Sequence, residues 1–161
     1  MKNCKTIVYL ILVQFFTFGN LSAQTKTYLS GTYANTAIDW EFKMSEGRNS
    51  GYWTTIPVPS NWETKGFGYY TYGKDHKDYK TKPEIGFYRY NFKFNLKSDK
   101  RYFIVFQGAM TETTVTLNGK QVGDTHIGGF TEFKYEVTDF LKSGDNLLEV
   151  EVLKPATHPQ V

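Results

Sequence analysis

Cysteine is almost absent: Cys4 is the one cysteine in 161 residues. It falls in a leader expected to be removed, which leaves the mature chain no disulfide, no thiolate metal site and no cysteine nucleophile, so a packed core must carry its stability. Histidine is scarce as well. His76, His126 and His158 lack the i, i+4 or cysteine-partnered spacings of zinc sites and read as surface or packing residues. Asp124, Asp139 and Asp145 sit beside glycines or turns, where carboxylates commonly accept backbone hydrogen bonds, so their pattern gives calcium no positive support. No nucleophile elbow, phosphate loop or dinucleotide fingerprint is present, and no cofactor is called for. Charge of one sign is lacking too. Nineteen Lys and Arg against 16 Asp and Glu give a formal charge of +3, with lysines scattered among acids, which is no footprint for nucleic acid.

Long apolar runs are missing except near the start. Lys2 and Lys5 precede an almost wholly apolar stretch from Thr6 to Gly19, and Leu21-Ser22-Ala23 ends in a small residue before Gln24. This is the pattern of a secretory signal peptide over residues 1–23. The apolar stretch falls short of the roughly 20 residues that cross a bilayer, so no stable membrane span is expected. Export to the periplasm or the extracellular space is expected instead. Cleavage after Ala23 removes two lysines and no acid, bringing the formal charge closer to zero. The remaining residues 24–161 fit one domain large enough to bury a core.

Aromatic residues are abundant, at 17% of the chain. They suit both a sandwich core and a sugar-stacking surface, and composition does not separate the two. Tyr28, Ile38, Trp40 and Phe42 suggest short strands broken near Gly31 and Asn35. Trp53 to Pro59 is an extended run whose two prolines exclude a central strand or a helix. In Tyr88 to Leu96 every even position is apolar and every odd one polar, the period of a strand with one buried face. Tyr102 to Phe106 is continuously apolar and reads as a central strand covered on both sides. Val115 and Leu117 alternate with threonines up to Asn118-Gly119, the two positive-φ residues of a hairpin turn, and Val122 resumes the apolar face. Phe133, Tyr135 and Val137 alternate with Lys134 and Glu136, Thr138 can cap a helical turn at 139–141, and Leu148, Val150 and Val152 form a last alternating strand. The sum is an all-β chain, a mostly antiparallel β-sandwich.

Between these strands, Glu63 to Ile85 has no period, yet interleaves Phe67, Tyr69, Tyr70, Tyr72 and Tyr79 with five lysines. Disordered segments are poor in aromatics, so this reads as a functional loop or as one whose tyrosines pack on a neighbouring surface. Trp62, at its start, reads as a packing residue ahead of a ligand contact.

Several blocks together carry a resemblance: Ile56-Pro57-Val58-Pro59-Ser60-Asn61-Trp62, Gly86-Phe87-Tyr88-Arg89, Phe106-Gln107-Gly108-Ala109, Val115 to Phe133, Val137 to Leu141 and Gly144 to Leu148. In this order they resemble the N-terminal sugar-binding domain of glycoside hydrolase family 2, nearest its β-galactosidase branch through Pro-Ser-Asn-Trp. The resemblance implies a jelly-roll, galactose-binding-like sandwich, followed in complete enzymes by immunoglobulin-like and (β/α)8-barrel domains. It also implies a β-galactoside-like carbohydrate partner and a site-facing loop bearing Trp62, Tyr69, Tyr70 and Tyr72. Where β-galactosidases of the family often show Tyr-Thr-Asn, this chain has Tyr70-Thr71-Tyr72. The stretch from Lys154 to Val161 reads as a strand passing into a loop where family members continue, so the domain is expected to be truncated there. Catalytic residues are expected in the barrel and none is assigned here. Asp75, Asp78, Glu84, Asp124 and Glu132 read as solvated acids in or beside turns. A free-standing carbohydrate-binding module and a non-catalytic extracellular adhesion sandwich remain as alternatives.

Overall fold

In the computed structural model, which describes residues 24–69 and 83–154, alternating side chains sort nine strands into two antiparallel sheets. The strands are β1 (Ile38–Met44), β2 (Thr54–Val58), β3 (Glu84–Phe94), β4 (Phe103–Phe106), β5 (Glu112–Leu117), β6 (Lys120–Gln121), β7 (His126–Ile127), β8 (Phe133–Glu136) and β9 (Gly144–Lys154). The larger sheet runs β2-β1-β3-β9-β5-β6, with β7 also paired to β5; the smaller is β4 with β8. β2, which contains Pro57, lies at the sheet edge, where a missing backbone donor is tolerated.

β3 realises its alternation. Tyr88, Tyr90 and Phe92 pack on the core, while Asn91 and Lys93 are exposed. On β1, β5 and β9 the same period buries Trp40, Phe42, Met44, Val115, Leu117, Leu148, Val150 and Val152. Each such side chain withdrawn from water stabilises the fold by roughly 1.5–3 kcal/mol before entropy is counted. The second layer presses Ile104, Phe106, Tyr135 and Val137 onto this face.

The hairpin forms as its sequence requires. Leu117 pairs with Lys120 across Asn118 and Gly119, at φ +54° and +79°. Two expectations are corrected. β4 is not covered on both sides: it pairs only with β8 among the described residues, and Phe103 and Val105 are exposed, because this layer is narrow and its outer face is open. Thr138 does not cap the turn that follows it. Its hydroxyl accepts the Tyr102 N–H at 3.0 Å and bonds Glu136, while the turn closes through Phe140 and Leu141 N–H groups on the Val137 carbonyl. Beside it, Arg101 Nε donates to Glu136 Oε1 at 2.8 Å, and this bond holds the Glu136 carboxyl below its usual range.

Candidate functional site

The root of the aromatic loop is built by short-range bonds in a polar sequence. Asn61 Oδ1 accepts the Glu63 N–H at 3.0 Å, Thr64 Oγ1 donates to the Asn61 carbonyl at 2.7 Å, and Gly66 at φ +90° ends a 3-10 turn over Glu63–Lys65. Phe67 then returns to the core, edge-on to Phe42 at 5.0 Å. Gly68 exchanges bonds with Arg48: its N–H meets the Arg48 carbonyl at 3.0 Å, and its carbonyl accepts Arg48 Nε at 2.9 Å. A methyl on Gly68 would fall within 3 Å of the Glu84 carboxylate, so the chain passes here only as glycine.

Tyr69 is held by both of its backbone groups. Its N–H donates to Glu84 Oε1 at 2.6 Å and its carbonyl accepts Lys154 Nζ at 2.9 Å. Lys154 also reaches Glu63 Oε1 at 2.5 Å and Glu84 Oε2 at 3.3 Å, and all three charged side chains are about 95% buried. A buried ammonium between two carboxylates offsets desolvation only through such close contacts. The cluster joins the 3-10 turn, the first residue of β3 and the last of β9, elements far apart in sequence. Beside it, burial and then the Glu63 charge push the Tyr88 hydroxyl well above its ordinary range, so it stays protonated.

These contacts decide where the sequence-predicted residues stand. Tyr69, 44% exposed, presents its ring outward from a fixed backbone. Trp62 is a packing residue, only 6% exposed; its ring lies over Gly86, where a methyl would fall 2.6 Å away, and near Phe42. It offers no open face to a pyranose, which corrects its assignment as a sugar-facing side chain. Tyr70 and Tyr72 lie outside the described residues, as do Asp75, His76, Asp78, Tyr79, His158 and the leader. Glu84, expected in solvent, is instead buried and ion-paired. Asp124 and Glu132 are exposed. Among the described residues no group of three His, Cys, Asp or Glu is placed to hold a metal, and no helix is long and apolar enough to cross a membrane.

Sequence reasoning missed a second feature, on the outer face of the larger sheet. Trp53, 41% exposed, carries the Arg89 guanidinium 4.1 Å above its ring, and Arg89 Nε meets Glu149 at 3.0 Å. With Lys43, Phe87, Thr116 and Glu151 they line a groove of about 360 Å³. Its one local signal was a tryptophan just ahead of an edge strand. The rest comes from β1, β3, β5 and β9 being neighbours.

Comparison with known proteins agrees with the geometry. The family described as glycosyl hydrolase 2 galactose-binding domain-like matches residues 40–160. The chain is 37% identical over 71 residues to the β-galactosidase of Thermoanaerobacter pseudethanolicus, which covers 42% of this chain and 9% of that enzyme. It is 34% identical over 115 residues to the β-galactosidase of Streptococcus thermophilus, covering 63% and 11%. Among solved structures, a β-glucuronidase from Facaelibacterium prausnitzii L2-6 superposes with a TM-score of 0.54 at 23% identity, over 74% of this chain and 17% of that one. The chain thus spans about a tenth of the length of these β-galactosidases.

Proposed function

Because this chain belongs to the glycosyl hydrolase 2 galactose-binding domain-like family, with residues 40–160 matched, we propose that residues 24–161 are the N-terminal sandwich of an exported, β-galactosidase-like glycosidase. In this reading the domain walls one side of a carbohydrate cleft and leaves bond cleavage to a following barrel. The observation that carries it is the clamp on Tyr69: a buried Glu63–Lys154–Glu84 cluster fixes both backbone groups of the residue that opens the aromatic loop. Such fixing is what a loop needs to present Tyr69, and after it Tyr70 and Tyr72, at one place on a sugar. Glycosidic cleavage by retention needs two carboxyl groups about 5–5.5 Å apart, one of them free to protonate the leaving oxygen. Glu63 and Glu84 both engage Lys154, which leaves neither free for that step, and the family resemblance is what places the acids of the reaction in the barrel. The leader read over residues 1–23 supports export.

The test is a titration of residues 24–161 with galactose and galacto-oligosaccharides, following aromatic side-chain resonances. Millimolar-range shifts centred on Tyr69, and their loss in Tyr69→Ala, are expected, because one exposed loop without a closed pocket binds weakly. Tight binding with shifts centred on Trp53 and Phe87 would replace this reading with a second, a free-standing carbohydrate-binding module. The open groove beside Trp53 is the observation that favours it.

A further inference from the structure

The outer face of the larger sheet carries its side chains in rows. Alternation sends Tyr88, Val115 and Val150 into the core and sets Arg89, Glu149 and Thr116 on the opposite face. The register aligns these three: Arg89 lies opposite Glu149 on β9, and Glu149 opposite Thr116 on β5. One row along, Lys43 of β1 lies opposite Phe87, and Phe87 opposite Glu151. Four neighbouring strands, β1, β3, β9 and β5, supply the groups, and at about 4.8 Å per strand the rows run roughly 14 Å across the sheet.

Trp53 closes one end. It stands just ahead of β2, on the far side of β1 from Arg89, so the Arg89 side chain crosses β1 to lie 4.1 Å above the indole. In the other direction Arg89 Nε donates to Glu149 Oε1 at 3.0 Å. The guanidinium is thus held from two sides, and it has further N–H groups to donate. The groove of about 360 Å³ therefore presents two rings, Trp53 and Phe87, with donors at Arg89 and Lys43 and acceptors at Glu149, Glu151 and Thr116.

Charge and composition select what such a groove holds. Two cations and two carboxylates balance, so no net field draws in an anion or a cation, and an acidic ligand meets Glu149 and Glu151. A protein surface fits poorly, because interface centres are depleted in Lys and Glu and covering these carboxylates would strip their water. A pyranose fits well. Its hydroxyls both donate and accept, and its C–H face packs on an aromatic ring.

We propose that this groove binds a neutral oligosaccharide, with one sugar ring against Trp53 and neighbouring hydroxyls on Arg89, Glu149 and Glu151. The site is distinct from the Tyr69 loop. Glu84 and Lys154, which clamp Tyr69, share the inward, buried positions of their strands, so the groove lies on the other side of the sheet. The inference rests on the reading of this chain as part of a carbohydrate-processing enzyme, and adds to it a second grip on the substrate chain, away from the cleft.

The test uses the purified chain carrying Tyr69→Ala, so that the loop is silenced, and follows the tryptophan indole resonances during titration with β-1,4-galactotetraose. A millimolar-range shift of the Trp53 indole is expected, since the groove is open. Trp40 and Trp62, each 6% exposed, should stay still. Galactose, which spans only part of the rows, and a tetragalacturonate, which meets the two carboxylates, should each bind about tenfold more weakly. Trp53→Ala should abolish the response, read at neighbouring amides, Trp53→Phe should keep part of it, and Glu151→Gln, at an exposed position, should weaken it without disturbing the fold. No shift at Trp53, equal affinity for galactose and the tetrasaccharide, or preference for the galacturonate overturns the proposal. Loss of the response when the chain is continued beyond residue 161 assigns the groove to a following domain and overturns it as well. Shifts at Trp53 here with none at Tyr69 in the parent chain leave the groove standing and remove the cleft-wall reading; shifts at Tyr69 alone do the reverse.

Discussion

Asn118 holds its backbone at φ +54° while its side chain fastens three segments together. Nδ2 donates to the Phe140 carbonyl and to Asn146 Oδ1, each at 2.8 Å, and Oδ1 accepts the Leu147 N–H at 3.1 Å. Asn146, fully buried, passes the network on to Lys142 and Gly144. The two roles separate by substitution. Asn118→Gly keeps the left-handed turn and removes the bonds, for an expected loss of about 2–3 kcal/mol from two or three partly buried partners left unpaired. Asn118→Ala adds the steric cost of a positive φ, roughly 1–2 kcal/mol more. Urea unfolding measures both, and a glycine variant as stable as the parent would show that the network contributes nothing. The turn was legible in the sequence because Asn-Gly chemistry is local. The network was not, because its partners stand 22 to 29 residues away and only the sheet order brings them near. The packing role of Trp62 was legible but its partners were not, for the same reason: only the pairing of β1 with β3 brings Gly86 and Phe42 together beside its ring.

Among the elements, the long alternating strands were readable because one buried face imposes a period of two, as on β3 and β9. β4 misled because a continuous apolar run looks the same whether both of its faces are covered or only one. Its outward Phe103 lies under the Arg101 and Lys134 cations at 5.5 and 5.6 Å. Nor did sequence show that β9 ends in a cation that binds Glu63, Glu84 and the Tyr69 carbonyl, for Lys154 stands 91 residues from Glu63. That joint makes a sharp prediction. Lys154→Met leaves two buried carboxylates facing each other without their ammonium, and breaking a buried ion pair from one side costs about 3–5 kcal/mol. Adding Glu63→Gln and Glu84→Gln removes the stranded charges while keeping an acceptor for the Tyr69 N–H, so the triple variant is expected to recover most of the loss. Chemical denaturation of the parent, single and triple variants checks this, and a single variant within about 1 kcal/mol of the parent would sink it.

For the molecule as a whole, the decisive feature is where the last strand goes. β9 pairs along its full 11 residues with β3 on one side and over Leu148 to Leu153 with β5 on the other, so the final described segment lies in the middle of the larger sheet. Among the described residues, β1 to β3 and β5 to β7 have no strand pairing with each other except through it. Its inward Leu148, Val150 and Val152 are buried at the centre of the core, and its turn end carries Asn146. Non-local pairing of this kind demands loop closure before any contact rewards it, and sets folding on the order of milliseconds to seconds. Residues 24–143 should therefore fail to fold, leaving β3 and β5 with open edges and no shared layer. A peptide of residues 144–161 added in trans should restore the sheet, because everything β9 needs is then present except covalent continuity. Amide dispersion in NMR spectra and near-ultraviolet circular dichroism read the outcome directly. A native-like spectrum from residues 24–143 alone would mean that the two halves hold together through the small β4–β8 layer, and the central place given to β9 would be wrong.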